Sequence, residues 1–136
     1  MKVAVVGSRT LNTDMMHFFI PSVATEIISG GAKGIDAEAK RFAEKNNLKY
    51  TEFIPHYMKY GRVAPLKRND EIIDYADIIV AIWDGKSKGT KYTIDKCKKS
   101  NKSLIVFYVS FCEETGLTKI DKCEYYNINS SQVQNA

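Results

Sequence analysis

Four short runs of this chain hold the residue types that phosphate and ribose recognition needs. Ser29-Gly30-Gly31-Ala32-Lys33-Gly34-Ile35-Asp36 combines three glycines with a lysine and an aspartate. Glycine lets a backbone approach a ligand closely, and a helix that starts behind it turns free N–H groups toward an anion. Lys33 adds a point charge suited to phosphate. The run is no Walker loop, because no GK[ST] follows, and no GxGxxG fingerprint follows the first strand. Asp84-Gly85-Lys86-Ser87-Lys88-Gly89-Thr90 is a second turn of this kind, with hydroxyls at Ser87 and Thr90 and a bare backbone at Gly89. Gly7-Ser8-Arg9 is a third polar turn, where Arg9 suits a bidentate phosphate clamp. Arg68-Asn69 is a polar pair within a helical pattern, and Asn is a poor helix former there.

Each run also has a plainer reading. A glycine-rich strand-to-helix turn, an N-cap at Ser87, a solvated Arg9 and a helix–helix hydrogen bond at Arg68-Asn69 all occur without ligands. Two glycine turns side by side favour a cradle for phosphate or pyrophosphate. In His56-Tyr57-Met58-Lys59-Tyr60-Gly61-Arg62 a tyrosine, Tyr60 among them, can stack a base or cover the core edge. Asp36 can bind ribose hydroxyls or complement a helix dipole. Trp83 stands at the mouth of the second turn. The carboxylates predicted near these turns are Asp36, Glu38 and Asp84, and Asp36 and Asp84 are the catalytic candidates. Cys97, His17 and His56 show no spacing for a nucleophile–base pair or a metal, so neither a metal nor a cofactor is predicted.

Positioning these turns requires strands that end together. Residues 2–6 read as a buried strand, 24–28 as a second and 48–54 as a third. Residues 77–83 are the most apolar run and suit a central parallel strand covered on both faces. Residues 103–109 read as a fifth. Helical periodicity covers residues 34–46, 64–75 and 89–99, and Asn12 or Thr13 is placed to cap a short helix over 14–20. Residues 56–62 read as a loop. From residue 110 onward periodicity is lost, and the SSQVQNA ending reads as a frayed tail. The predicted fold is α/β: a Rossmann-like, doubly wound parallel sheet of about five strands with helices on both faces. Residues 1–110 form the ligand-binding domain and 111–136 a C-terminal extension. Ligands of such folds lie beyond the carboxyl ends of the strands, at the switch point, where the loops Gly7-Ser8-Arg9, Ser29 to Asp36, Pro55 onward and Asp84 to Thr90 are expected to converge.

Size and composition exclude several classes. At 136 residues with 44% hydrophobic side chains, the chain can bury a core without staples. No apolar run reaches the ~20 residues a membrane helix needs, and the first strand leads into a glycine turn rather than a cleavage site. Three widely spaced cysteines, an odd number, fit a reducing cytoplasm. A net charge of +4 falls short of the basic stripe of a dedicated nucleic-acid binder, so nucleic acid is disfavoured as partner. The lysines from Lys86 to Lys102 read as a solvated face.

GSR, SGGAKGID, YGRxAxxxRN and WDGKSKGT, in this order, resemble the SLOG superfamily, nearest its small stand-alone YspA or cpYpsA-related branch. The resemblance spans about residues 2–109. SGGAKGID also resembles the glycine turn of the DNA-processing protein that loads recombinase. DGKSKGT is similar in place to the PGGxGT turn of the Lonely-Guy phosphoribohydrolases. The resemblance implies a small nucleotide-derived ligand such as ADP-ribose, cyclic ADP-ribose or a nucleoside monophosphate, and a homo-oligomer. By position it implies a ligand site at Gly7, Ser8, Arg9, Gly30, Gly31, Gly34, Asp36, Arg68, Asn69, Asp84, Gly85, Ser87, Gly89 and Thr90. The chain departs from the phosphoribohydrolases where they carry a glutamate after GT; here that stretch is Lys91-Tyr92-Thr93-Ile94-Asp95. The family's Trp after the third strand is replaced near Tyr57. A non-catalytic sensor or sequestering protein is therefore the leading expectation. An N-glycosidase or phosphoribohydrolase comes second and single-stranded DNA binding third. The excess of lysine over arginine, 16 against 4, suggests an AT-rich genome, of a phage or a low-GC bacterium, with which a sponge or sensor role in phage–host conflict would fit.

Overall fold

The computed structural model describes residues 1–11, 13 and 15–128. Strand β1 (Lys2–Gly7) is followed by the short helix α1 (Met16–Phe19), β2 (Glu26–Ser29), α2 (Ile35–Lys45) and β3 (Lys49–Glu52). Then come α3 (Tyr57–Tyr60), a 3-10 turn over Gly61–Val63, α4 (Ala64–Tyr75), β4 (Ile78–Trp83), α5 (Lys88–Lys99), β5 (Leu104–Cys112) and β6 (Leu117–Tyr126). They build one six-stranded sheet in the order β3-β2-β1-β4-β5-β6. Strands β1 to β5 pair in parallel and β6 runs antiparallel to β5.

Alternation along the strands explains the layers. Val3, Val5, Val80, Ile82, Ile105 and Phe107 point to one face, where Met16 and Phe19 of α1 and Ile35, Ala39 and Ala43 of α2 cover them. Ala4, Val6, Ile79, Ala81, Leu104 and Val106 point to the other, beneath Ile72 and Ile73 of α4 and Ile94 and Cys97 of α5. Strand β4 is apolar at every position because both its faces are covered. Each fully buried Ile or Val contributes roughly 1.5–3 kcal/mol. Cys97 lies inside this second layer, where burial pushes its thiol up to about 12.

The expected count of about five strands is corrected to six. Residues 117–126 form β6, and β5 runs on to Cys112, through the boundary expected at residue 110. A register shift at Tyr108/Val109 breaks the two-residue alternation of β6, and most of its side chains are exposed. An edge strand so placed has no continuous apolar face, so its periodicity is weak. The segment expected as a loop at 56–62 contains α3 and the 3-10 turn. Helix α1 is shorter than the expected 14–20. Thr13 Oγ1 accepts a hydrogen bond from the Met15 N–H at 3.0 Å. Asn12, Asp14 and residues 129–136, including the whole of the expected SSQVQNA tail, lie outside the described residues. No helix among the described residues is long and apolar enough to cross a membrane.

The order 3-2-1-4-5 places the topological switch between β1 and β4. The chain leaves β1 toward β2 on one side and reaches β4 on the other. Their carboxyl ends therefore open a crevice.

Candidate functional site

That crevice is a cleft of about 520 Å³. Its floor is the end of β1 with the turn behind it: Gly7, Ser8 and Arg9. Gly30, Ala32 and Asp36 enter from the α2 turn, Arg68 and Asn69 from α4, and Asp84, Ser87, Gly89 and Thr90 from the α5 turn. Twelve of the residues expected at a ligand site are thus brought together. Seven others do not line the cleft: Ser29, Gly31, Lys33, Gly34, Tyr60, Trp83 and Gly85. Tyr60 lines a separate cavity beside α3. The cleft wall also includes Val6, Thr10, Pro65, Leu66, Ile72, Lys86 and Thr93. Pro65, Leu66 and Ile72 were legible only as one flank of α4, facing the same way as Arg68 and Asn69. Thr93 follows Thr90 by one turn of α5.

The α2 turn is filled by the protein itself. The Ile35 N–H donates to Ser8 O at 3.4 Å, and the Ala32 N–H to Asp36 Oδ2 at 3.2 Å. Gly31 N–H reaches Ser29 Oγ at 3.4 Å, and that hydroxyl lies 2.5 Å from Tyr50 Oη, which donates to Glu52 at 2.9 Å. A Cβ on Gly30 would strike the Arg68 guanidinium. On Gly34, at φ +72°, it would strike the carbonyls of Ser8 and Arg9. The glycines here serve close packing within the chain, and Lys33 is exposed and is not among the residues lining the cleft.

Arg68 is 7% exposed. Its Nη1 donates to Gly30 O at 2.7 Å and its Nε to Asn69 Oδ1 at 2.9 Å, so the pair ties α4 to the β2 turn. Burial draws its pKa down, and the Asp36 carboxylate opposes that. Burial in turn pushes Asp36 above the ordinary aspartate value, against the pull of the Ala32 N–H and the Arg68 charge. Arg9 is exposed, and its charge acts on both.

The α5 turn is differently built. Asp84 Oδ1 accepts the Lys86 N–H at 2.9 Å and the Ser87 N–H at 3.0 Å. Burial works to raise the Asp84 pKa, but these two N–H groups and the nearby Ser8 hydroxyl outweigh it and hold it below the ordinary value. The contact with Ser8 falls short of hydrogen-bond geometry. Ser8 Oγ, in a residue 1% exposed, is left with no hydrogen-bond partner among the described residues. Ser87 occupies the N-cap position, yet its hydroxyl caps no backbone N–H and instead meets Thr90 Oγ1 at 3.2 Å. The N–H groups of Lys88, Gly89 and Thr90 have no acceptor among the described residues, and nothing lies within 4 Å of a Cβ built on Gly85 or Gly89. Trp83 braces this turn by donating from Nε1 to Ser87 O at 3.0 Å.

Of the three carboxylates expected near the cleft, Glu38 is elsewhere: it pairs with Arg41 and lines a cavity beside α1. Asp95 pairs with Lys91 at 2.8 Å. Among the described residues no three His, Cys, Asp or Glu side chains cluster as a metal site.

No protein-family model matches the chain, and no curated protein matches it. Among solved structures it is similar to DNA processing protein A (DprA) from Streptococcus pneumoniae, with a TM-score of 0.62 and 21% identity. The match covers 85% of this chain and 52% of that one, so the chain spans about half the length of its structural neighbour. At this identity the likeness is one of fold: both carry a Rossmann-like α/β sheet.

Proposed function

We propose that the cleft binds a nucleotide or nucleotide-derived ligand, of the ADP-ribose, cyclic ADP-ribose or nucleoside monophosphate type, and that the protein senses or sequesters it. One observation carries this reading. A buried, unpartnered Ser8 hydroxyl shares the floor of a cleft with the unused first N–H groups of α5 and two guanidinium groups. A buried hydroxyl without a partner costs about 1–3 kcal/mol, and a phosphate oxygen would satisfy it together with the helix N–H groups. Arg9 and Arg68 match the same charge. Membership of the small stand-alone SLOG branch, read from the four motifs, is part of this proposal.

A second reading has its own support. Asp36 and Asp84 line one cleft, and their surroundings push their pKa values in opposite directions. A raised acid beside an ionised carboxylate is the pairing that glycosidic cleavage uses.

Thermal shift against nucleoside monophosphates, NAD, ADP-ribose and cyclic ADP-ribose, with chromatography of each mixture, tests both. A ligand at 100 times its dissociation constant adds about 2.7 kcal/mol of stability. Ser8→Ala is expected to leave the ligand-free protein as stable as before or slightly more so, and to weaken the shift. Recovery of intact ligand supports binding alone. Release of free base, lost in Asp36→Asn or Asp84→Asn, supports cleavage. The neighbour's name motivates an oligonucleotide arm, in which affinity falling steeply with salt would replace the small-ligand reading.

A further inference from the structure

A second cavity, of about 640 Å³, is lined by the segment around α3 and, from α4, by Glu71. Its wall combines Pro55, Tyr57, Met58 and Tyr60 with the polar His56 and Lys59, and Tyr57 is 57% exposed. Glu71 is partly buried and makes no hydrogen bond or ion pair among the described residues. Arg68, three residues earlier on α4, lines the cleft. Residues three apart are neighbours on a helix. One flank of α4 therefore offers a cation to the cleft and, a turn later, an unpaired carboxylate to an aromatic hollow.

We infer that this hollow takes the base of the ligand whose phosphate the cleft holds, and that Glu71 makes it select guanine. The inference rests on the binding reading above and names its substrate class. An ionised carboxylate only accepts hydrogen bonds, through two oxygens side by side. The Watson–Crick edge of guanine offers two adjacent donors, N1–H and the 2-amino group, which fit that pair. Adenine offers one amino donor beside the N1 lone pair, which faces an oxygen unfavourably. Hypoxanthine keeps N1–H and lacks the amino group. Tyr57 is the freer stacking platform, because Lys59 Nζ already lies 5.2 Å from the Tyr60 ring centroid.

Titration calorimetry of the full chain with GMP, IMP and AMP tests this, alongside Glu71→Gln. GMP is expected to bind about tenfold tighter than IMP or AMP, the cost of one unmet charge-assisted hydrogen bond. Glu71→Gln is expected to erase that preference by weakening GMP, with AMP as tight as before or tighter, because a carboxamide donates to adenine N1 and accepts from its amino group, and with the thermal midpoint without ligand unchanged. Equal affinities, a preference for AMP, binding of ADP-ribose alone, or a GMP preference that survives Glu71→Gln overturns the guanine assignment and leaves the phosphate cleft standing. Silence from every nucleotide overturns both.

Discussion

The turns that open α2 and α5 are alike as strings of letters and opposite in what their glycines face. Gly30 lies against Arg68, Gly31 against the Glu52 carboxylate, and Gly34 against the Ser8 and Arg9 carbonyls. Gly85 and Gly89 face open space. The N–H groups of the first turn are spent on Ser8 O, Ser29 Oγ and Asp36, whereas the first three of α5 are free among the described residues. A glycine motif thus signals close approach without saying whether a ligand or the protein makes it. The α2 turn holds Arg68 and Asp36 in position, and the α5 turn supplies the vacant donors.

This contrast can be broken by substitution. Gly34→Ala places a Cβ against fixed backbone in a region of φ and ψ that only glycine tolerates, so unfolding free energy should fall by about 3 kcal/mol or more. Chemical denaturation measures it. Arg68→Met keeps the aliphatic stem and leaves Gly30 O without its donor; a loss of about 2 kcal/mol is expected, together with loss of nucleotide binding. Gly89→Ala should do the reverse on stability. The position is helical and unobstructed, so a gain of up to about 1 kcal/mol is expected, while ligand affinity drops because the backbone is no longer bare. Equal destabilisation by the Gly34 and Gly89 variants would erase the distinction between the turns.

The smallest effect sharpens the comparison through pH. The Asp84 pKa is depressed, so its contribution to stability is present above the unfolded value near 4 and is lost as pH falls through the folded value. The Asp36 pKa is raised, so the folded state holds that proton longer. Its contribution is greatest below the unfolded value and declines as pH rises through the folded one. Denaturation midpoints between about pH 3 and 7 should therefore lose some acid-side decline in Asp84→Asn. In Asp36→Asn they should lose the opposing slope. Parallel changes in both variants would contradict the opposite environments of the two turns.

Much of the scaffold was legible. Apolar runs flanked by glycine turns located β1 and β4, and helical periodicity located α4 at the observed Ala64–Tyr75. Strand β6 was not, because a half-exposed edge strand with a register shift carries no clean alternation. Helix α3 was not, because all four of its residues remain unburied and leave no apolar stripe. In the cleft, Ser8 was legible as a polar turn residue. Its lack of a partner was not, since partners depend on what folding brings near.

The sequence by itself determined the α/β class, the central strands, and the three polar turns that follow β1, β2 and β4 at the carboxyl edge of the sheet. These follow from local periodicity and from glycine's freedom, both properties of short segments. Tertiary structure alone decided that Arg68 would lie on Gly30 and that Asp36 and Asp84 would titrate in opposite directions. Desolvation, orphaned hydroxyls and vacant helix N–H groups arise only when segments distant in the chain are packed together.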